Sequence, residues 1–428
     1  MFHMCAIFLA MADTALVEQS VRHLLWYVAI FGSFTSTIFF GMVMVAAFRY
    51  VLHTRRDGEQ GRSTSPQDLP AVTILKPDHG MEPKLEETLE SFFQQEYSNF
   101  EIVFGARNVS NEALVVVEKL RAKYPHVPTR VVISGEPSWP NAKVFSLARM
   151  IASSENSYFV ISDSDVLVRP DFLRKVLPPL LDQKVGLVTC MYEGIPTRDF
   201  WSQLEALGMS VEMPSGVMVA DMVEGGMKFA LGAAMAVRRD AIEAMGGIRE
   251  TADFYSDDFV LGNRVADAGY TVVLSSYKVG HVLAGQSLRQ TFGDQLRWMK
   301  STRFSRPWGH VGSGLTYAVP FGLLALLLAL GHRDWMQIGI ARFAISWINR
   351  MLLALLVGWA VIGDRRCLWL CWLYPLRDLL GFCTWAASFT SNRFFWRGEP
   401  YEFGQEGRIT AVQREIDFVS ERVPQAND

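Results

Sequence analysis

The chain has no cysteine framework. Its 428 residues include only five cysteines, and none stands at a spacing typical of a metal site. Four of them, Cys5, Cys367, Cys371 and Cys383, fall in apolar stretches, and Cys190 follows a strand-like run. We therefore expect all five to be reduced, which excludes a scaffold held together by disulfides.

The chain also lacks an excess of positive charge. It has 41 Lys and Arg residues against 44 Asp and Glu residues, a formal net charge of −3. This balance gives no electrostatic reason to expect a nucleic-acid partner. The basic residues cluster instead beside apolar segments, as they do at the edges of a membrane.

Long apolar runs, by contrast, are present. Half of the chain is hydrophobic, with 12 Trp and 28 Phe, which is rich for a soluble enzyme. Residues 24–48 carry no charge and are long enough to span a bilayer, and the arginines of 49–62 follow them. The positive-inside bias then predicts a transmembrane helix with its carboxyl end in the cytoplasm. The preceding segment, 1–23, lacks a basic start, so we expect an uncleaved anchor.

A second hydrophobic zone covers 311–391, and we expect two or three further spans there. Its candidate spans are 311–331, 335–363 and 367–391. The second contains Arg342 and Arg350, and the third contains the Arg377-Asp378 pair. Charges inside a membrane need a partner, so the sequence predicts an internal ion pair between helices. Three spans would place the basic end of the chain outside, so one candidate can instead be re-entrant or interfacial.

Between the two zones, a polar linker at 49–70 leads into a domain at 71–290. Short apolar segments alternate there with amphipathic ones. Strands are predicted at 71–75, 100–104, 130–134 and 158–162, and helices at 85–97, 112–124 and 141–153. This alternation predicts an α/β fold with a mostly parallel, Rossmann-like sheet covered by helices.

The run Tyr158-Phe-Val-Ile-Ser-Asp-Ser-Asp165 is apolar until it ends at two carboxylates. Ligands bind beyond the carboxyl ends of strands in such sheets, so Asp163 and Asp165 are expected at the mouth of a site. Their spacing lets both carboxylates converge on one hard cation or on a diphosphate with its metal. Asp-Ser-Asp is also ordinary turn chemistry, which this segment alone does not exclude.

Two further groups of residues point to chemistry. Asp257 and Asp258 stand at the start of a predicted helix, where one of them can face the cleft as a general base. Acidic residues at a helix start can also serve only as caps. A basic amphipathic stretch at 291–310 contains Arg297 and Trp298 just before the membrane zone. An interfacial anchor explains that stretch equally well.

The order of these features resembles the inverting GT-A glycosyltransferases that use nucleotide sugars at a membrane face. Their pattern is D, D-x-D, (E/D)-D and (Q/R)-x-x-R-W. Among them the chain is most similar to the ceramide glucosyltransferase family, its bacterial members and the related hopanoid-associated glycosyltransferases. The resemblance covers nearly the whole chain, and its motifs are Ile74-Leu-Lys-Pro77, Ser91-Phe-Phe93, Asn141-Ala-Lys143, Val185-Gly-Leu-Val188, Gly246-Gly247, Ser256-Asp-Asp258 and Leu296-Arg-Trp298. Two positions depart from the pattern: Asn108 replaces the first aspartate, and Asp294 the first residue of the last motif.

The resemblance implies a role for each candidate residue. Asp163 and Asp165 would hold Mg²⁺ or Mn²⁺, and Asp258 would be the general base, with Asp257 as the fallback. Arg297 would add positive charge to the departing diphosphate, and Trp298 would line the acceptor or sugar pocket. The donor site would be lined by Lys76, Pro77, Asn108, Lys143 and Asp163. Lys76 and Lys143 could equally be solvated lysines, and Asn108 is expected to alter nucleotide recognition rather than abolish activity.

The resemblance further implies UDP-glucose as donor, with UDP-N-acetylglucosamine and UDP-glucuronate left open. The acceptor would be a membrane lipid with a hydroxyl group, ceramide or a hopanoid. The protein is expected to be a multi-pass protein of a bacterial inner membrane, with its catalytic domain and its tail at 392–428 in the cytoplasm. The alternatives are a polyprenyl-phosphate sugar transferase, a processive polysaccharide synthase and a non-catalytic scaffold homologue. The sequence does not determine the oligomeric state.

Overall fold

The computed structural model describes residues 2–61, 70–77, 80–285, 287–396 and 399–412, with side chains from residue 17 onward and without those of 55–61. Residues 62–69 of the predicted linker, the side chain of Cys5 and the end of the predicted tail lie outside the described residues. The chain begins with a long helix, α1 (Phe2–Gly61), which contains the predicted anchor at 24–48.

Four parallel strands form the first half of a large sheet. They are β1 (Val72–Pro77), β2 (Phe100–Ala106), β3 (Thr129–Ile133) and β4 (Tyr158–Ser162), in the order β3-β2-β1-β4. The intervening helices are α2 (Leu85–Phe93), α3 (Ala113–Lys123) and α4 (Ala142–Ala152). In α2, the buried residues Leu85, Leu89 and Phe92 recur at helical spacing and face the sheet side of the core. The predicted strands and helices of this half are all present.

The second half of the sheet continues in the order β4-β7-β6-β8-β5. Its elements are β5 (Val166–Leu167), α5 (Phe172–Val176), β6 (Val185–Ile195), α6 (Phe200–Val223), β7 (Ala234–Arg238), α7 (Arg239–Ala244), α8 (Asp257–Asp267) and β8 (Thr271–Val282). The strand β7 runs antiparallel to both β4 and β6, while β6 and β8 are parallel. The α/β fold with a mostly parallel sheet, predicted from the alternating pattern, is confirmed.

The C-terminal region is helical, as its composition predicts. It contains α9 (Leu288–Ser305), α10 (Pro307–Ser313), α11 (Val319–Ala329), α12 (Arg333–Leu353), a π-helical continuation (Ala354–Ile362), α13 (Cys367–Leu370) and α14 (Tyr374–Ala387). Among the described residues, two helices are long and apolar enough to cross a membrane. They are Val17–Thr54, with 38 residues, and Arg333–Ile362, with 30 residues.

The candidate span at 311–331 is not one continuous helix. The helix α10 ends at Ser313, and α11 starts only at Val319 with Pro320 in its first turn, the place where proline is tolerated. With 11 residues and a rise of about 1.5 Å per residue, α11 is too short to cross a bilayer. Pro375 likewise begins α14, which has 14 residues. One of the three C-terminal candidates is therefore long enough to span.

Three of the charges named within this region, Arg350, Arg377 and Asp378, are paired, which confirms the predicted internal ion pair. Nε of Arg350 in α12 lies 3.2 Å from Oδ1 of Asp378 in α14, and both side chains are 3% exposed. Arg377 lies 3.0 Å from Glu212 of α6. These contacts join the C-terminal helices to each other and to the α/β domain.

The first membrane candidate shares a core with the domain. Val43 and Tyr50 of α1 belong to the same buried cluster as Leu75 of β1 and Val357 of the π-helical segment. The hydroxyl of Tyr50 donates to the carbonyl of Ser275 at 2.8 Å. The long helices are therefore packed directly against the sheet.

The segment after residue 391, predicted only as a tail, contains a small antiparallel sheet. Its strands are β9 (Arg393–Trp396), β10 (Glu399–Phe403) and β11 (Ile409–Ala411), in the order β11-β10-β9. Phe394, Phe403 and Ile409 are buried on one of its faces. This C-terminal sheet packs against the domain beside the second acidic pair, Asp257 and Asp258, where Arg408 forms a β-bridge with Phe254.

Candidate active site

The carboxyl ends of β1 and β4 bring a lysine against the first aspartate of Asp-Ser-Asp. Nζ of Lys76 donates to the carbonyl oxygen of Asp163 and lies 3.9 Å from the centre of the Phe92 ring. Lys76 is 1% exposed, so the alternative of a solvated lysine is wrong at this position. Pro77, the last residue of β1, is buried beside it.

Lys143 joins the two acidic motifs. Its amino group lies 2.7 Å from Oδ1 of Asp163 and 3.7 Å from Oδ2 of Asp257, and the residue is only 8% exposed. Lys143 follows Asn141, whose Oδ1 accepts from two backbone N–H groups and begins α4. Burial alone would raise the pKa of Asp163, but the charge and hydrogen bond of Lys143 hold it below its ordinary value.

Asp258 faces the same space. The backbone of Gly232 and Ala233 lies between Asp258 and the Asp-Ser-Asp sequence. The Ala233 carbonyl accepts from the Asp163 N–H at 3.2 Å. On the other side, a Cβ at Gly232 would stand 2.6 Å from Oδ2 of Asp258. Only glycine leaves room for that carboxylate. Burial, and next the negative charge of Asp257, raise the pKa of Asp258 to about 6.

The second aspartate of Asp-Ser-Asp meets a histidine that the sequence analysis did not single out. Nε2 of His281 lies 3.5 Å from Oδ2 of Asp165, because β5 pairs with β8 and places Val166 opposite His281. The His281 ring stacks on Tyr192 with centroids 5.8 Å apart. No local spacing links His281 to Asp165, and the only signal in the sequence is a polar residue near the end of a strand.

This corner fits a divalent cation. Among the described residues, Oδ1 of Asp165 and Nδ1 of His281 are buried without a hydrogen-bond partner. Both atoms are therefore available to bind a cation. No group of three or more His, Cys, Asp or Glu side chains within the described ranges is arranged to hold a metal by itself. Substrate phosphates and water would therefore supply the other ligands, as is usual for Mg²⁺.

Arg297 and Trp298 lie on α9, and Arg297 contacts the segment that leads into the second acidic pair, Asp257 and Asp258. Nη1 of Arg297 donates to the hydroxyl of Tyr255, three residues before Asp258, and Nη2 donates to Oδ1 of Asp294 at 2.9 Å. Trp298 packs against residues of α6 and against Leu283. The residue that departs from the family motif, Asp294, is thus an ion-pair partner of Arg297.

Asn108 lies apart from these side chains. It follows β2, is exposed, and accepts a hydrogen bond from Ser110 at 2.9 Å. No hydrogen bond or ion pair described here joins Asn108 to Lys143 or Asp163. The structure therefore brings together the lysines and the acidic pairs, and it places Asn108 at the same edge of the sheet.

The family model of glycosyl transferase family 21 matches residues 36–409. The chain belongs to this family. It is similar to ceramide glucosyltransferase 1 of Caenorhabditis elegans, with 23% identity over 284 residues, 66% of this chain and 60% of that protein. It is also similar to a ceramide glucosyltransferase of Komagataella phaffii, with 30% identity over 149 residues, 34% of this chain and 27% of that protein. The chain thus spans at most about three fifths of these relatives.

Two solved structures show lower similarity. A mannosyltransferase of Pyrobaculum calidifontis in complex with GDP-Man and Mn²⁺ is 18% identical, covering 86% of this chain and 99% of that one, with a TM-score of 0.47. Glucosyl-3-phosphoglycerate synthase of Mycobacterium tuberculosis is 16% identical, covering 57% and 84%, with a TM-score of 0.37. Membership of family 21 and the similarity to ceramide glucosyltransferases confirm the predicted resemblance to that family of glycosyltransferases. The mostly parallel sheet of the α/β domain is confirmed by the structure itself.

Proposed function

We propose that this glycosyltransferase is a membrane-bound, inverting enzyme that moves glucose from UDP-glucose to the hydroxyl group of ceramide. The observation that carries the proposal is the gathering of Asp163, Asp257 and Asp258 around Lys143 and the Gly232-Ala233 backbone. Glycosyl transfer needs a base for the acceptor and a neutralised leaving group, and this cleft supplies groups for both.

Asp258 is the better general base of the acidic pair. Asp257 is buried against Lys143 and accepts from Nδ2 of Asn141 at 3.4 Å, so its lone pairs are engaged. Asp258 is less buried, and a pKa of about 6 suits a base that works near neutral pH. Its carboxylate would take the proton of the lipid hydroxyl as that oxygen attacks the anomeric carbon. The bond to the diphosphate breaks on the opposite face, so the configuration inverts.

The leaving diphosphate would be neutralised from several sides. Asp163, Asp165 and His281 would hold Mg²⁺ or Mn²⁺, which when bound supplies positive charge to the diphosphate oxygens. The amino group of Lys143 and the guanidinium of Arg297 would add fixed positive charge from the protein.

The donor would lie along the carboxyl ends of β1 and β2. Lys76 and Pro77 end β1, and Asn108 follows β2 with its side chain exposed. An asparagine amide can accept from N3–H of uracil and donate to a carbonyl of the base. We therefore expect Asn108 to contact the nucleotide and to take no part in the chemistry.

The acceptor would come from the membrane. Among the helices that the structure describes, two are long enough to cross it, and α1 packs against the domain through Tyr50. The helix that carries Trp298 ends at Ser305, close in sequence to the apolar α11. The arginines after the first span favour a catalytic domain on the cytoplasmic side. The resemblance to bacterial members of the family supports the inner membrane of a bacterium as its location.

The test is transfer of labelled sugar in membranes that contain the protein. UDP-glucose, UDP-N-acetylglucosamine and UDP-glucuronate are each offered with ceramide, a hopanoid or polyprenyl phosphate, with and without EDTA. We expect labelled glycosylceramide from UDP-glucose, lost with EDTA and lost in Asp258→Asn. Asp267→Asn, an exposed aspartate at the end of the same helix, is the matched control and should transfer at the wild-type rate.

Each other outcome contradicts part of the proposal. A product formed on polyprenyl phosphate, with Asp258→Asn fully active, would exclude a hydroxyl acceptor, because a phosphate needs no base. A product formed on the hopanoid alone would correct the acceptor. No product in any combination would overturn the assignment to glycolipid synthesis.

A further inference from the structure

The C-terminal sheet is bound to the segment that leads into the second acidic pair. The N–H of Ile409 donates to the carbonyl of Asp253 at 2.8 Å, and the N–H of Tyr255 donates to the carbonyl of Gly407 at 3.4 Å. Arg408 adds an ion pair with Asp253 at 3.2 Å. The chain just before Asp257 and Asp258 is therefore held by residues that lie about 150 positions later.

The same sheet is bound to α9. Nζ of Lys300 donates to the carbonyl of Arg393 at 2.6 Å, and the rings of Phe304 and Phe403 stack with centroids 5.3 Å apart. The C-terminal sheet thus contacts both the segment that leads into Asp257 and Asp258 and the helix α9, which carries Arg297. The side chain of Tyr255 belongs to the segment before Asp257 and contacts both the C-terminal sheet and Arg297 of α9.

The ring of Tyr255 is enclosed by aromatic residues of the sheet. Its centroid lies 5.3 Å from that of Phe394, 5.2 Å from that of Trp396 and 5.6 Å from that of Phe403. All three contacts are edge-to-face, with interplanar angles of 83°, 70° and 77°, a favourable arrangement of aromatic rings. The phenol is therefore fixed in position and direction.

The hydroxyl of Tyr255 accepts a hydrogen bond from Nη1 of Arg297, while Asp294 accepts from Nη2. A guanidinium at the end of a flexible side chain is ordered only if several of its donors are held. Here Nη2 is held by Asp294 of the same helix, α9, and Nη1 is held by Tyr255, which lies outside that helix. The second contact sets where the guanidinium lies relative to the Asp257-Asp258 segment.

We propose that Tyr255 is a positioning residue for Arg297, and that the C-terminal sheet holds Tyr255 in the orientation this requires. The inference rests on the proposed function, in which Arg297 stabilises the charge of the departing diphosphate. A preorganised cation favours the transition state more than the bound donor, because the charge develops only as the bond breaks. Loss of the tyrosine hydroxyl should therefore lower kcat and leave KM for the donor nearly unchanged.

The test uses Tyr255→Phe in the full-length protein, which keeps the ring among its aromatic neighbours and removes one oxygen. We expect kcat to fall about tenfold or more, the size of a lost hydrogen bond to a charged group. KM for UDP-glucose and the thermal unfolding midpoint should stay near wild type. The matched control is Tyr401→Phe, which removes the same oxygen from a ring stacked on Phe394 in the same cluster and should behave as wild type.

A double-mutant cycle separates positioning from packing. In an Arg297→Ala background, Tyr255→Phe should cost nothing further, because the side chain through which it acts is gone. If the two losses instead multiply, or if Tyr255→Phe alone leaves kcat unchanged, the inference is overturned. Wild-type transfer in the same assay shows that such a result concerns Tyr255 and not the proposed function.

A binding measurement tests the inference without any acceptor. Free UDP carries the charge that the leaving group develops, so its affinity in the presence of Mn²⁺ should fall about tenfold in Tyr255→Phe. The Tyr401→Phe variant should bind UDP as wild type does. Equal UDP affinity in wild type and Tyr255→Phe would contradict the inference even if no acceptor were known.

Discussion

The amino group of Lys143 lies 2.7 Å from the carboxylate of Asp163, the first aspartate of the Asp-Ser-Asp sequence. The same amino group also contacts Asp257, so one buried cation lies between the two acidic motifs. Without it, two negative charges would share a cleft of low polarity, which is unfavourable for both. Lys143 therefore favours the ionised form of both carboxylates. It holds the pKa of Asp163 below its ordinary value, whereas burial still leaves the pKa of Asp257 raised.

Replacing Lys143 by Met should destabilise the protein and make it more dependent on divalent metal. Because Asp163 and Asp257 lose their shared partner, we expect a loss of about 2 kcal/mol, discounted for the partial exposure of Asp163. Saturating Mn²⁺ should then raise the thermal unfolding midpoint more in the variant than in wild type, because the cation supplies the missing charge. Thermal unfolding in detergent with Mn²⁺ and with EDTA measures both effects.

The control for this experiment is Lys119→Met. Lys119 pairs with Glu86 at the surface, 2.7 Å away, and such exposed pairs contribute little to stability. Its variant should unfold within about 0.5 kcal/mol of wild type. A Lys143→Met variant as stable as the control would show that the two acidic motifs do not need the shared lysine.

The pH dependence of transfer should report the base. Burial and the charge of Asp257 raise the pKa of Asp258 to about 6, so the carboxylate is protonated and inactive below that pH. We therefore expect kcat/KM to rise with pH through about 6 and then to level off. Asp257→Asn removes a negative charge, lowers the pKa of Asp258 and should move the midpoint to lower pH. Initial rates between about pH 4.5 and 8.5 test both statements. A flat wild-type profile over this range would exclude Asp258 as the base.

The metal dependence should involve His281. Transfer is expected to stop in EDTA and to recover with Mn²⁺ or Mg²⁺. His281→Ala removes the imidazole that lies beside the proposed metal ligand Asp165. The Mn²⁺ concentration for half-maximal activity should therefore rise about 10- to 100-fold. His126→Ala, an exposed histidine after α3, should need no more metal than wild type. An unchanged metal requirement in His281→Ala would remove this histidine from the site.

The acidic motifs were predictable because their signals are local. An apolar strand that ends at Asp163 and Asp165, and a helix that begins at Asp257 and Asp258, are visible within a few residues of sequence. The α/β order of the sheet follows from the same alternation. Asp257 contacts Lys143, which leaves Asp258 for catalysis. This difference depends on packing, so the sequence alone could not distinguish the two carboxylates.

The contacts that sequence analysis missed join distant parts of the chain. His281 reaches Asp165 only through the pairing of β5 with β8, and Tyr255 reaches its neighbours only through the C-terminal sheet. Nothing in the spacing of these residues encodes such pairings. The candidate span at 311–331 fails for a different reason. Its hydrophobic content suggested one helix, but Pro320 marks the start of a new helix within it.

The ion pair between Arg350 and Asp378 should be one of the main stabilising contacts of the C-terminal region. Asp378 also accepts from the N–H groups of Ala318 and Val319, at 2.9 and 2.8 Å, at the start of α11. Arg350→Met leaves a buried carboxylate without its cation, so we expect a loss of about 3 kcal/mol or more. The measurement is thermal unfolding of the purified protein in detergent.

Arg342→Met is the matched control, because Arg342 lies on the same helix and has no ion pair among the described residues. Its variant should unfold at nearly the wild-type temperature. In Arg350→Met, Asp378→Asn should restore part of the lost stability, because a neutral amide keeps an oxygen for the N–H groups of α11 and leaves no unpaired charge. If the double variant is instead less stable than Arg350→Met alone, the carboxylate acts mainly through the backbone of α11, and the ion pair is secondary.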